Sequence, residues 1–309
     1  DTAQIQTVVL DEADQMIDMG FIEDITTILG FTPPTRQTLL FSATFPESIK
    51  TITSEFMKDP VMVTAEHAIS KPKIEEIAYI CNKKLASITQ VLQLHNITNT
   101  IIFCNTKVDA AALCDDLNGI GIHALTLHGD MEQFDRNEAI IQFRNLSAPI
   151  LVATDVAGRG IDIEGLDAII NYEVPIQNER YTHRIGRTGR AGKSGVAITL
   201  VNHHQYERFM DLKRPITPIE LPDIKEKFSL KTLMRTICID AGKKEKLRAG
   251  DIVGALIHEC GLSQEEIGKI DQLDHLSYVA IPRSKAENIY QKLTNRPIKG
   301  KTFRKWLLD

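Results

Sequence analysis

Short apolar runs alternate along this chain with longer stretches in which apolar residues recur every three or four positions. The runs Ile5–Leu10, Thr38–Phe41, Val61–Val63, Thr100–Cys104, Ala124–Leu127, Ile150–Ala153, Ala168–Asn171 and Val196–Val201 have the length and bounding residues of buried strands. The stretches Pro46–Met57, Val108–Leu117 and Phe134–Phe143 have helical spacing. Strand and helix in alternation predict parallel sheets with crossover helices. The last third reads differently. Strand Thr236–Ile239, helix Arg248–Glu259, strands Ile267–Leu273 and Ser277–Ile281, helix Lys285–Leu293 and strand Thr302–Leu307 follow in the order βαββαβ, which suits an RRM-like sheet with two helices on one face.

Composition shifts near Ala65–Pro72 and, with three prolines in nine residues, at Arg214–Pro222. They predict three pieces: 1–65, 73–213 and 231–309. The first holds few strands, and parallel strands need cover on both faces, so it reads as the C-terminal part of a larger domain. The 309 residues are 43% hydrophobic and 25% charged, as in an ordinary globular protein. No apolar stretch is long enough to cross a membrane and no leader pattern opens the sequence, so no membrane contact is expected. The 5 cysteines form no Cys-x-x-Cys pair, which fits reduced thiols in the cytoplasm and excludes a disulfide framework.

Net charge is −5, but it is unevenly spread: residues 241–309 carry 13 Lys+Arg against 9 Asp+Glu. The most basic stretch, 283–305, holds Arg283, Lys285, Lys292, Arg296, Lys299, Lys301, Arg304 and Lys305 against Glu287 alone. Such a stretch attracts phosphate, or is simply a solvated helix face with a basic tail.

Four segments carry candidate chemistry. Tyr181-Thr-His-Arg-Ile-Gly-Arg-Thr-Gly-Arg190 spaces Arg184, Arg187 and Arg190 three apart, which on a helix places the guanidiniums near one face, suited to a polyphosphate. The other reading, a flexible Arg-Gly tract gripping RNA, fits poorly between two apolar runs. The run Val8-Val9-Leu10 enters Asp11-Glu12-Ala13-Asp14, putting two carboxylates at the carboxyl edge of a sheet. There Asp11 is placed to hold magnesium through water and Glu12 to activate an attacking water, or both serve as an acidic helix start. Ser42 and Thr44 follow the second predicted strand, either capping the next helix or bonding the carboxylates beside them. Finally, Ala153–Asp162 leaves a strand through Gly158 and Gly160, which allow close backbone approach to phosphate, with Asp162 placed to accept from a ribose hydroxyl.

In this order the segments Asp11–Asp14, Ser42–Thr44, Ile101–Asn105, His128–Asp130 with Gln133 and Arg136, Ala153–Asp162 and His183–Arg190 resemble the motifs of DEAD-box RNA helicases, over residues 1–213. The resemblance implies a partial first and a complete second RecA-like domain, with ATP and Mg2+ as cofactors. By it, Asp11 and Glu12 hold magnesium and activate water. Arg187 and Arg190 are arginine fingers to the γ-phosphate across a cleft, and are expected to be exposed in the chain by itself. Asp162 contacts the ATP ribose. Asp14, Ser42, Thr44 and His183 couple hydrolysis to RNA handling, with Asp14 and His183 bridging the domains. Thr106, Gln133, Arg136, Thr154 and Gly160 touch RNA phosphates and sugars without reading sequence. No Gly-x-x-x-x-Gly-Lys-Ser/Thr occurs in the 309 residues. The family's phosphate loop and glutamine motif are therefore expected upstream of Asp1, and the chain alone is expected to be inactive as an ATPase.

The C-terminal third offers a single central-strand aromatic, Tyr278, so the usual base-stacking platform is degraded. Its strings Gly268–Ile281 and Ile298–Arg304 resemble the terminal domain of the DbpA-type subgroup. That resemblance implies binding of structured large-subunit ribosomal RNA, a role in ribosome-assembly particles, and a footprint over Lys299, Lys301, Arg304 and Lys305. A small domain for protein contacts is the other reading. A monomer is expected. The expected function is thus an ATP-dependent RNA helicase that unwinds duplexes locally. The alternatives are a non-catalytic RNA-binding fragment and a DNA helicase of the same superfamily.

Overall fold

The computed structural model describes residues 2–18, 20–42, 45, 47–64, 74–82, 84–155, 165–189, 194–224 and 228–308. The chain divides into two compact units, Asp1–Ser70 and Lys71–Asp309.

In the first unit, β1 (Thr7–Leu10) and β2 (Gln37–Leu40) pair in parallel, Leu10 opposite Leu40. Helices α1 (Ala13–Asp18), α2 (Ile22–Gly30) and α3 (Glu47–Phe56) accompany them. Ala13 and Ile17 of α1 pack with Ile49 and Ile52 of α3 under Leu10 and Leu40. The alternate residues Val9 and Leu39 stay exposed, so this sheet is covered on one face. The strand expected at Val61–Val63 does not form: these residues lie in extended chain, with Val61 and Val63 both 86% exposed. The β-branched Val61 and Val63 favour a strand, but among the described residues no strand pairs with them.

The second unit is built on β3 (Ile74–Ile80), α4 (Lys84–Leu94), β4 (Thr100–Cys104), α5 (Lys107–Gly119), β5 (Ala124–Leu127), α6 (Gln133–Arg144), β6 (Ile150–Thr154), β7 (Ala168–Asn171), α7 (Asn178–Ile185), β8 (Gly195–Val201), α8 (Tyr206–Asp211) and β9 (Ile219–Glu220). The strands form a 7-stranded sheet in the order β5-β6-β4-β7-β8-β3-β9, with every pair parallel. The continuous apolar run of β4 follows from burial on both faces. Ile102 and Cys104 point into the core under α4 and α5, while Ile101 and Phe103 point into the core under α6. Sequence pattern alone misses β3, because Glu75 and Glu76 interrupt its apolar run. Glu76 is satisfied where it lies: it accepts from Tyr181 Oη at 3.0 Å and from Arg214 Nε at 2.9 Å. Arg214 also lies 4.8 Å from the Tyr181 ring, so the proline-rich segment is tied to the sheet and supplies its edge strand β9.

The remainder of this unit is an antiparallel sheet of β10 (Met234–Ile239), β11 (Ile270–Gln272), β12 (Ser277–Pro282) and β13 (Lys305–Leu307), in the order β11-β12-β10-β13. Helices α9 (Ala249–Cys260) and α10 (Ala286–Thr294) pack on one face around Ile237, Ile239, Val279 and Ile281. The βαββαβ order matches the sequence expectation. Helix α9 stops where Gly261 takes φ +78°, a backbone conformation that costs a side chain.

Candidate nucleotide and RNA site

The acidic strand end keeps the geometry its sequence suggests. Parallel pairing brings the end of β1 beside the end of β2, and Ala13 N–H donates to Phe41 O at 3.0 Å. Asp11 and Glu12 are exposed at this carboxyl edge, and Asp11 Oδ1 accepts the Glu12 amide at 2.9 Å. Glu12 sits at φ +51°, a left-handed conformation of a kind that costs about 1–3 kcal/mol and concentrates at working sites. Asp14 is buried, and its amide donates to Ser42 Oγ at 3.3 Å, joining the two motifs through a backbone contact. Among the described residues no cluster of three or more His, Cys, Asp or Glu could cage a metal. The few oxygen donors at Asp11 and Glu12 fit Mg2+, which keeps most of its water. Thr44 lies outside the described residues, as do Gly160, Asp162 and Arg190.

In the second unit the candidate residues gather at the carboxyl ends of β4 and β6 and on the elements that follow them. Thr106 caps α5: its hydroxyl accepts the Asp109 amide at 3.1 Å and also bonds the Asp109 carboxylate. It is exposed, as the RNA reading requires. Beside it Lys107 and Asp130 form an exposed ion pair that holds the Asp130 carboxyl below its ordinary range. Gln133 is exposed at the start of α6 and donates to Asn137 Oδ1 at 2.8 Å; Arg136, one turn on, is partly buried and partnered. Thr154 is 8% exposed at the end of β6, so little of it is open to a strand.

The arginine series corrects the sequence reading. Helix α7 ends at Ile185, so Arg184 and Arg187 do not share a helix face. Arg184 is 1% exposed and turns inward. Its Nε and Nη2 hold Asp155 Oδ1 and Oδ2 at 2.6 and 2.8 Å, Nη2 also reaches Asn105 Oδ1 at 2.9 Å, and Nη1 reaches Asn171 Oδ1 and Glu173 O, both at 3.2 Å. The guanidinium also lies 5.2 Å from the Phe103 ring centre. One arginine thereby fastens together the ends of β4, β6 and β7. A forked planar cation is the side chain suited to bridging so many acceptors. Arg187 lies in the turn after α7 and is partly buried and partnered, not openly exposed as expected. His183, on the last turn of α7, is partly exposed.

The RRM-like domain departs further from expectation. Tyr278 does not await a base: it is 1% exposed, packed with Cys238, Leu308 and Ile141 of α6. The sheet face opposite α9 and α10 is thus closed by the helicase part of the same unit. The basic strip also separates. Lys305 is 4% exposed and donates to Arg296 O at 3.0 Å, Phe303 O at 3.1 Å and Thr294 O at 3.4 Å, so it closes the C-terminal end of α10, where a cation suits the unpaired carbonyls. Burial pushes its amine below the ordinary lysine range. It is removed from the RNA footprint. Lys299 remains exposed at the surface but donates to Lys246 O at 3.0 Å. Lys301 is exposed, and exposed Arg304 lies 5.5 Å from the Trp306 ring.

Lys299 leads to residues that sequence reasoning passed over. The loop after β10 carries Lys243, Lys244, Lys246 and Arg248, all exposed. It is pinned against the turn before β12: Lys243 and Lys244 amides donate to Leu273 O and Asp274 O at 3.0 and 2.9 Å. A Cβ on Gly242 would run into the Leu273 carbonyl and the Asp274 backbone, so only glycine allows this approach. The signal was present as Gly242-Lys-Lys-Glu-Lys directly after a strand.

Comparison with known proteins agrees with this arrangement. Family models described as DEAD/DEAH box helicase, helicase conserved C-terminal domain and DbpA RNA binding domain match residues 1–52, 83–192 and 236–305. The chain is 42% identical over 98% of its length to the ATP-dependent RNA helicase DbpA of Escherichia coli, covering 68% of that protein. It is 34% identical over 97% of its length to DbpA of Bacillus subtilis, covering 69% of it. Among solved structures, S. cerevisiae Dbp5 bound to RNA and ADP BeF3 matches with a TM-score of 0.63 and 30% identity, over 69% of this chain and 57% of that one. These matches, with the acidic strand end, the arginine-fastened sheet edge and the RRM-like domain, show that the chain belongs to the DbpA-like DEAD-box ATP-dependent RNA helicases.

Proposed function

We propose that this helicase is targeted to structured large-subunit ribosomal RNA and acts in the cytoplasm during ribosome assembly, as a monomer that separates short duplexes locally. The observation that carries the targeting is the C-terminal domain: an RRM-like fold whose stacking face is closed and whose exposed lysines lie on a rigid loop at one end of the sheet. Such a surface suits the backbone of a folded RNA better than unstacked bases. Lys299, Lys301 and Arg304 extend the loop's basic surface, and Lys243, Lys244, Lys246 and Arg248 join them.

Within the helicase part, we assign Asp11 to Mg2+ through water and Glu12 to orienting and deprotonating the attacking water. When bound, the ion supplies charge neutralisation at the phosphates. Arg187 and Arg190 stabilise charge on the γ-phosphate, Asp162 accepts from the ribose, and Thr106, Gln133, Arg136, Gly160 and the small open part of Thr154 hold the RNA backbone. Asp14, Ser42, Thr44 and His183 couple the two activities. Lacking a phosphate-binding loop, the 309-residue chain is expected to show only background ATP turnover in a steady-state assay with RNA. The five cysteines, all free and buried, suit a reducing compartment.

The test is a titration of the chain with fragments of large-subunit ribosomal RNA at a stated salt concentration. One structured fragment should bind at least about tenfold more tightly than an unrelated hairpin of equal length, a modest ratio for specific recognition. Equal affinity for all hairpins would reduce the C-terminal domain to a general RNA clamp.

A further inference from the structure

Helix α6 is held on two sides. Ala139 and Phe143 anchor it to the parallel sheet, against Ile101, Phe103, Leu127 and Leu151. Ile141 faces elsewhere and packs with Cys238, Tyr278 and Leu308 of the RRM-like domain. The same stripe continues into a buried polar contact beyond the helix end. Asn145 Nδ2 donates to Thr236 Oγ1 at 2.8 Å, and Ser147 Oγ lies 2.8 Å from the same hydroxyl. Asn145, Ser147 and Thr236 are 5%, 2% and 0% exposed, so these bonds form away from water. An apolar contact alone tolerates sliding, but a satisfied buried polar network admits one register.

The opposite end of α6 carries Gln133 and Arg136. A helix of 12 residues is about 18 Å long and moves as a rod. Any shift of the RRM-like domain that keeps this contact must therefore displace Gln133 and Arg136, and any adjustment of those two must be felt at Thr236. We propose that α6 couples the two RNA-binding surfaces of the protein: docking of the C-terminal domain fixes the position of Gln133 and Arg136, so that RNA held by either surface strengthens binding at the other. Ile141, Asn145 and Thr236 are positioning residues in this scheme, since none of them reaches RNA. The coupling rests on the reading of Gln133 and Arg136 as RNA contacts. Thermodynamic linkage makes it reciprocal.

The test uses the full 309-residue chain and a ten-nucleotide oligouridine, too short and unstructured to engage the targeting domain as a folded RNA. In the unmodified chain, hydrogen exchange is followed with and without saturating oligouridine. Amides of 236–239 and 277–281 should exchange more slowly when the oligonucleotide is bound, although they lie at the far end of α6; unchanged exchange there overturns the coupling. In a second arm, Asn145→Ala combined with Thr236→Val should weaken oligouridine binding about fivefold, the low end of allosteric coupling, and Thr236→Ser should keep nearly normal binding. Undiminished binding by the double variant overturns the proposal. Gln133→Ala with Arg136→Ala separates the two premises. If that pair leaves oligouridine affinity unchanged, the RNA reading of α6 fails and the coupling with it. If that pair weakens binding while the Asn145 and Thr236 changes do not, the coupling alone fails.

Discussion

The two sheets of the second unit put their free surfaces in opposite places. The parallel sheet is buried on both faces and open at its carboxyl edge, where Thr106, Thr154 and the turn after α7 gather. The antiparallel sheet would ordinarily be covered on one face by its two helices and offer the other. Here that second face is covered too, by Ile141, Asn145 and Ser147, and the exposed basic residues lie in the loops at its end. Which surface of a sheet can bind is decided by what else packs on it, not by its strand order.

The edge of the parallel sheet is expected to fail first when its fastening is removed. Arg184→Met leaves the partly buried Asp155 carboxylate with only Arg180, 3.8 Å away, and should cost about 3 kcal/mol in a denaturant unfolding titration, the low end of the penalty for breaking a buried ion pair from one side. Arg187→Ala, three residues on, should change stability little while abolishing stimulation of ATP turnover in a helicase that carries its phosphate loop. Equal stability losses from the two would erase the distinction between fastening and finger.

Lys305 and Lys244 make the matching comparison in the antiparallel domain. Lys305→Met unpairs the carbonyls that close α10 and should cost about 2 kcal/mol, with RNA affinity at permissive temperature unchanged. Lys244→Ala should do the reverse: stability stays, affinity falls, and the salt dependence of binding loses about one counterion's slope. Gly242→Ala should lower affinity as Lys244→Ala does, since the lysines depend on that close approach for their placement.

The smallest effect is one of pH. Burial, reinforced by the neighbouring Asp135, raises the Glu138 carboxyl above its ordinary range. Glu138 therefore holds its proton longer in the docked protein than in the unfolded chain, so stability is fullest below the ordinary glutamate range and falls as pH rises through the raised value. Glu138→Gln should flatten that part of the stability–pH curve. A curve identical to that of the unmodified chain would place the carboxylate in water and not in the partly buried setting it has here.

Much of this organisation was legible in the sequence. The strands of the parallel sheet announce themselves because double-sided burial demands unbroken apolar runs, as in Ile101–Cys104 and Ile150–Ala153. The βαββαβ order of the last third was equally plain. Illegible were features decided by long-range partners. Strand β3 was hidden by Glu75 and Glu76, the latter acceptable only because Tyr181 and Arg214 meet it. Val61–Val63 looked like a strand because local preference cannot say whether a neighbour is present. Three-residue spacing made Arg184 and Arg187 look alike, although the helix ends between them and one is among the most buried side chains in the protein. Charge marked Lys305 as a ligand to RNA, when its neighbours are carbonyls at a helix end.

RNA is expected to meet the C-terminal domain at its loops and not on its sheet face. Photo-crosslinking of a 4-thiouridine-labelled large-subunit ribosomal RNA hairpin to the 309-residue chain, read by peptide mass spectrometry, addresses it directly. Crosslinks should fall within 242–248 and 299–304 and be absent from 277–281. Crosslinks concentrated at Tyr278 would contradict the account, because they require the sheet face to open and α6 to release the domain.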